Sequence, residues 1–104
     1  MRVKTDFGTY EVTIRTSKYR TGDNLAIMLM EADGPFATIT VNLPAYTLTK
    51  KSCAFVDTNN CPWAPEFIKE YKLGTNTGFV GYSGYCEYPL YEFDLDRLSA
   101  LSEG

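Results

Sequence analysis

The order of apolar residues predicts an α+β fold: an antiparallel sheet of about five to seven strands, beginning as an N-terminal β meander, packed by one main helix near residues 63–73. Two patterns carry this reading. Apolar and polar residues alternate with the period of two that a half-buried strand requires, most clearly over residues 10–15 and 36–43. A later segment instead places Trp63, Phe67, Ile68 and Tyr71 on one stripe of a helix. A chain of 104 residues, 44% hydrophobic and 22% charged, supports one core, so residues 1–104 are read as a single domain.

Each element follows from local pattern. In residues 10–15, Tyr10, Val12 and Ile14 point one way and Glu11, Thr13 and Arg15 the other. Thr21-Gly22-Asp23-Asn24 is a cluster of turn formers. Residues 25–31 are apolar on both faces and lie between turn signals, which reads as a central strand. Asp33-Gly34 then signals a hairpin, because such a turn needs positive φ. In residues 36–43, Ala37, Ile39, Val41 and Leu43 are expected inward and Thr38, Thr40 and Asn42 outward, and Pro44 ends the strand. Residues 45–52 fit a loop or a poor strand, 54–56 a short strand and 57–60 a turn or cap. Pro65 is tolerated only in the first turn of a helix, so the helix starts at about Trp63, and Gly74 is its natural stop. Phe79, Val80, Tyr82 and residues 85–93 are strand-like, with Pro89 calling for an edge or a bulge. Residues 94–101 fit a short final helix, and residues 102–104 are expected to fray.

Composition narrows the chemistry. The longest apolar run, residues 25–30, is far below the roughly 18 residues a membrane span needs. The first residues are charged and unlike a secretory signal, which points to the cytoplasm. Cys53, Cys61 and Cys86 are an odd set with no C-x-x-C pair, and there is no His, so neither a disulfide framework nor a metal centre is expected. No cofactor-binding pattern is complete, and no cofactor is expected. The net charge of −3 disfavours nucleic acid as the main partner.

The densest polar segment is Asp57-Thr58-Asn59-Asn60-Cys61-Pro62-Trp63, joining a strand to the helix. A thiol at a helix N-terminus can have a lowered pKa and act as a nucleophile, which gives Cys61 a catalytic reading. The alternative is that Asp57, Asn59 and Asn60 turn the backbone while Cys61 fills the core, and no His base exists to serve a cysteine nucleophile. Gly78, Gly81 and Gly84 fit a loop or bulge better than a phosphate cradle. Glu87, Glu92, Asp94 and Asp96 fit a solvated face. Tyr82, Tyr85, Tyr88 and Tyr91 can anchor an interface or stack bases, or about half of them cover the core. The candidate binding residues are therefore Asp57, Asn59, Asn60, Cys61, Trp63, Tyr82, Tyr85 and Tyr88.

Asp57-Thr58-Asn59-Asn60-Cys61-Pro62-Trp63-Ala64, Phe67-Ile68, Ser83-Gly84-Tyr85-Cys86, Tyr88-Pro89-Leu90-Tyr91 and Phe93 together resemble a family of small bacterial proteins catalogued as a domain of unknown function. The resemblance covers about residues 53–98. Members of that family are often encoded on conjugative or phage-like mobile elements. It implies an accessory protein acting on host machinery, such as a defence system, and brings no activity with it. The expected function is a non-catalytic protein-interaction module with an unidentified protein partner. A thiol-dependent enzyme or redox sensor using Cys61 and a single-strand nucleic-acid binder are the alternatives, and self-association is left open.

Overall fold

The computed structural model describes residues 1–102. Strands β1 (Arg2–Thr5) and β2 (Gly8–Glu11) form an antiparallel hairpin with Val3 opposite Tyr10. Its turn carries Asp6 and Phe7, and Gly8 leaves it at φ 144°. β3 (Thr13–Lys18), β4 (Leu25–Glu31) and β5 (Gly34–Thr38) make a three-stranded antiparallel sheet. β4 lies at its centre, as its doubly apolar run predicts. β6 (Thr40–Val41), β7 (Cys53–Val56), β8 (Gly74–Ser83) and β9 (Cys86–Phe93) make a second sheet in the order β6-β7-β9-β8. Helices α1 (Ala64–Glu70) and α2 (Leu95–Leu101) complete a compact α+β fold. Among the described residues there are nine strands in three sheets, where the sequence predicts about five to seven in one. There are also two helices of seven residues, where it predicts one main helix.

The predicted strand over residues 10–15 keeps its buried alternation, that over residues 36–43 keeps it only as far as Ile39, and each is divided between two sheets. Val12 exchanges hydrogen bonds with Met1 (Val12 N–H to Met1 O 2.8 Å, Met1 N to Val12 O 3.1 Å) and so sits between the β1–β2 ladder and the β3–β4 ladder. The second division falls at Ile39. Its N–H donates to the Ile27 carbonyl in β4 (3.0 Å), and its own carbonyl accepts from Asp57 N–H (2.8 Å) just after β7. Thr40, expected outward, is only 3% exposed. Its hydroxyl oxygen accepts the Ile27 N–H (3.1 Å) and lies 2.9 Å from the Tyr19 hydroxyl, so a threonine stands where a ladder bond would otherwise be missing.

The β4–β5 hairpin departs from its predicted geometry in two places. Glu31 pairs with Gly34, so the hairpin turn is Ala32-Asp33, and Gly34 begins β5 at φ 142°. Further along, Met30 faces Pro35 while Leu29 faces Ala37. Phe36 is the extra residue of a β-bulge, a device that re-aims a side chain.

The main core gathers Ile14, Ile27, Leu29, Val56, Ile68, Leu73, Phe93 and Leu98. On the opposite face of β7, Phe55 packs with Leu43 and Tyr88 in a smaller cluster. Gly81 makes room for it, since a Cβ there would meet Phe55 Cε1 at 2.5 Å and Leu43 Cδ1 at 2.9 Å. Pro89 lies opposite Val80 on β8, beyond the short stretch that β9 shares with β7, and so occupies a locally open edge as a proline must.

α1 stops earlier than predicted. Lys72 takes φ 55°, its N–H bonds Lys69 O (3.2 Å), and Leu73 N–H bonds Ile68 O (2.9 Å), the double bond pattern of a Schellman cap. Ile68 and Leu73, both fully buried, supply its apolar contact. Gly74 serves another purpose: a Cβ would come within 2.7 Å of the Glu92 carbonyl, so only glycine lets β8 start this close to β9. Asp94 caps α2 by accepting from Arg97 N–H (3.0 Å). Ser102, expected to fray, bridges to Ile14 beside β3. Residues 103–104 lie outside the described residues. Among those described, no helix is long and apolar enough to cross a membrane.

Two substitutions test these contacts by urea denaturation. Thr40→Val keeps the shape and removes the acceptor for Ile27 N–H, and is expected to cost about 1–3 kcal/mol. Lys72→Gly relieves a left-handed residue at the cap and is expected to stabilise by about 1 kcal/mol.

Candidate functional site

The turn after β7 is built on Asp57. Its carboxylate accepts the Asn60 backbone N–H (3.1 Å) and side-chain Nδ2 (3.0 Å), while its carbonyl accepts Cys61 N–H (2.8 Å). Asp57 therefore shapes the turn, while Asn59 and Asn60 face solvent. Cys61 points inward: it is 4% exposed, and its thiol donates to the Thr38 carbonyl at 3.7 Å. Burial first, and then the Asp57 carboxylate, push that thiol up to about 11. This is opposite to the lowered value that a nucleophilic Cys61 needs. Cys86 packs on the smaller core cluster while Cys61 belongs to the main one, so the two thiols are not partners.

Trp63, half-buried at the start of α1, lies in an aromatic ladder. Ring centroids are 4.8 Å apart for Tyr10 and Phe36, 5.7 Å for Phe36 and Trp63, 6.3 Å for Trp63 and Phe67, and 5.0 Å for Phe67 and Tyr71. The Phe36 bulge delivers the second ring. The Tyr71 hydroxyl accepts Arg2 N–H (2.7 Å), which ties the far end of the ladder back to β1. Three rings of this ladder, Tyr10, Phe36 and Trp63, line a groove of about 460 Å³ with Pro62, Asn59 and Asn60, and Thr5 at the end of β1 with Asp6 and Phe7 of the hairpin turn complete it. Phe7 is 91% exposed. The volume is within the usual range for ligand sites, roughly 300–1,000 Å³.

The tyrosines divide. Tyr82 is 58% exposed and Tyr85 fully so, at the tip of the β8–β9 hairpin. Gly84 takes φ 61° there, at the first turn position, as a type II′ turn requires. Tyr88, predicted as a binding residue, is only 9% exposed and packs with Leu43 and Phe55, because its position on β9 points it into the smaller core. Tyr82 and Tyr85 do not line the groove. The structure thus joins Asn59, Asn60 and Trp63, leaves Tyr82 and Tyr85 at a separate tip, and buries Cys61 and Tyr88. Sequence reasoning passed over Phe7, although an aromatic between Asp6 and Gly8 is a turn-tip residue with little chance of burial. Among the described residues, no group of three or more His, Cys, Asp or Glu converges as a metal site.

A family model described as a domain of unknown function, DUF4313, matches residues 13–104. The chain belongs to that family. No curated protein and no solved structure matches it. The part of the groove inside the DUF4313 match is Phe36, Asn59, Asn60, Pro62 and Trp63, whereas Thr5, Asp6, Phe7 and Tyr10 precede it.

Burial of Cys61 has a measurable pH signature. Its folded pKa lies above the ordinary 9.0, so its contribution to stability is complete below pH 9 and is lost as pH rises toward 11. Cys61→Ala is expected to flatten that part of a stability–pH curve. In mass-resolved alkylation of the native protein at pH 8, the half-exposed Cys86 is expected to react well before Cys61.

Proposed function

We propose that this DUF4313 chain is a non-catalytic protein-interaction module, an accessory protein of a bacterial mobile element that works in the cytoplasm on host machinery such as a defence system. The mobile-element setting rests on the resemblance carried by residues 57–64 and 83–93. The interaction reading rests on one observation: Phe7 and Tyr10 of the first hairpin, Phe36 of β5 and Trp63 before α1 come together to line a single open groove. Aromatic side chains are the usual anchors of protein interfaces, giving large contact area for little entropy. Here Trp63 is backed by Phe67, which is buried, so part of the ordering is already done before a partner arrives.

The thiol alternative loses its premise, because Cys61 is buried and its pKa is raised. Single-strand nucleic acid fits the groove poorly, because among the described residues its one charged lining residue is Asp6, which repels a phosphate backbone.

The test is a photo-reactive benzoylphenylalanine in place of Phe7, irradiated in lysate of a bacterium carrying a DUF4313 gene, with and without nuclease. A nuclease-resistant protein adduct is expected at position 7. Phe7→Ala is expected to lower recovery of that partner about tenfold while leaving the thermal midpoint unchanged, since Phe7 is exposed. Adducts formed only from position 85 would move the interface to the hairpin tip, and adducts lost with nuclease would indicate nucleic acid.

A further inference from the structure

The groove has a chemistry that selects among partners. Its lining holds four aromatic residues, whose ring faces carry the negative end of the aromatic quadrupole, and one carboxylate, with no Lys or Arg among the described residues. The Asp6 carboxylate makes no ion pair among the described residues, whereas Arg2 at the base of the same hairpin is taken by Glu11 at 2.8 Å. The Asn60 amide gives one Nδ2 N–H to Asp57, which leaves Oδ1 as an acceptor beside the second N–H. The rings of Tyr10 and Phe36 are inclined by 39° and those of Phe36 and Trp63 by 46°, and all three residues line the groove.

We infer that the groove receives the guanidinium of an arginine displayed by the partner protein, stacked on the Trp63 and Phe36 rings and paired with Asp6. This inference rests on the interaction-module reading. A neutral apolar segment would cover Asp6 and strip its water with nothing in return. A phosphate or carboxylate would meet like charge. A cation satisfies both the ring faces and the carboxylate. Arginine suits the site better than lysine, because its planar group stacks on rings, is weakly hydrated and brings five N–H donors to a lining whose free polar ends include two acceptors.

Trp63 is the single tryptophan, so its emission reports on the groove directly. The probe is a capped, otherwise neutral peptide with one central arginine, titrated into the full chain beside its citrulline counterpart, which keeps the shape and loses the charge. The arginine peptide is expected to give a saturable Trp63 response, with citrulline weaker by about tenfold and added salt weakening arginine alone. Asp6→Asn is expected to erase the difference between the two peptides without moving the thermal midpoint, since Asp6 is exposed and unpaired. Equal binding of arginine and citrulline, no saturable response to arginine, or saturation instead by a neutral oligosaccharide or a single-stranded oligonucleotide would each overturn the inference. Adduct formation at position 7 is independent of these outcomes. A partner captured there through a segment without arginine would end this inference and leave the interaction reading standing, whereas the loss of all position-7 adducts would end that reading itself.

Discussion

The architecture depends on two consecutive residues that serve two sheets at once. Ile39 gives its N–H to β4 and its carbonyl to the residue following β7, and Thr40 supplies a side-chain oxygen to the Ile27 N–H that faces it. Buried peptide groups have to be paired, and a strand crossing from one sheet to another must leave a gap in at least one ladder. Here a hydroxyl fills the gap. The seam fixes how the β3-β4-β5 sheet meets the β6-β7-β9-β8 sheet, with Ile27, Ile39, Val56 and Ile68 packed around it.

The groove inherits its geometry from that seam. The bond from Asp57 N–H to Ile39 O anchors the turn whose later residues are Asn59, Asn60 and Trp63. Three residues before the seam, the β5 bulge sends Phe36 toward Trp63. The β1–β2 hairpin closes the third side, pinned to α1 where Arg2 N–H meets the Tyr71 hydroxyl. Its turn can therefore hold a nearly bare Phe7 in solvent without losing its place. A back wall packed on the core and an exposed front residue are the division of labour expected of a surface that recognises another molecule.

Several residues with chemically suggestive identities occupy positions that hold the fold together. Cys61 sits at a strand-to-helix turn, where a thiol can become reactive or inert depending only on which way it points, and it points into the core. Asp57 spends its carboxylate on Asn60. Gly74 and Gly81 permit close approach to Glu92 and Phe55, while the left-handed position that a glycine might have filled after α1 is taken by Lys72. Each outcome follows from packing between segments far apart in the chain.

By itself the sequence determined the α+β class, the central place of β4, the turn at residues 57–60, the helical stripe of Phe67 and Ile68 and the short C-terminal helix, because periodicity and turn chemistry act over a few neighbouring residues. Asn59, Asn60 and Trp63 were legible as a polar turn entering a helix, and they do line the groove. Only the tertiary structure decided that strands continuous in pattern are divided between sheets at Val12 and Ile39, because alternation records which face is buried and carries nothing about which ladder a residue joins. It also decided that Tyr88 is buried while Tyr82 and Tyr85 are not, that Phe36 packs on Trp63, and that Phe7 lines the same groove. Those are contacts across long stretches of chain, fixed by register, a bulge and a seam that local pattern does not encode.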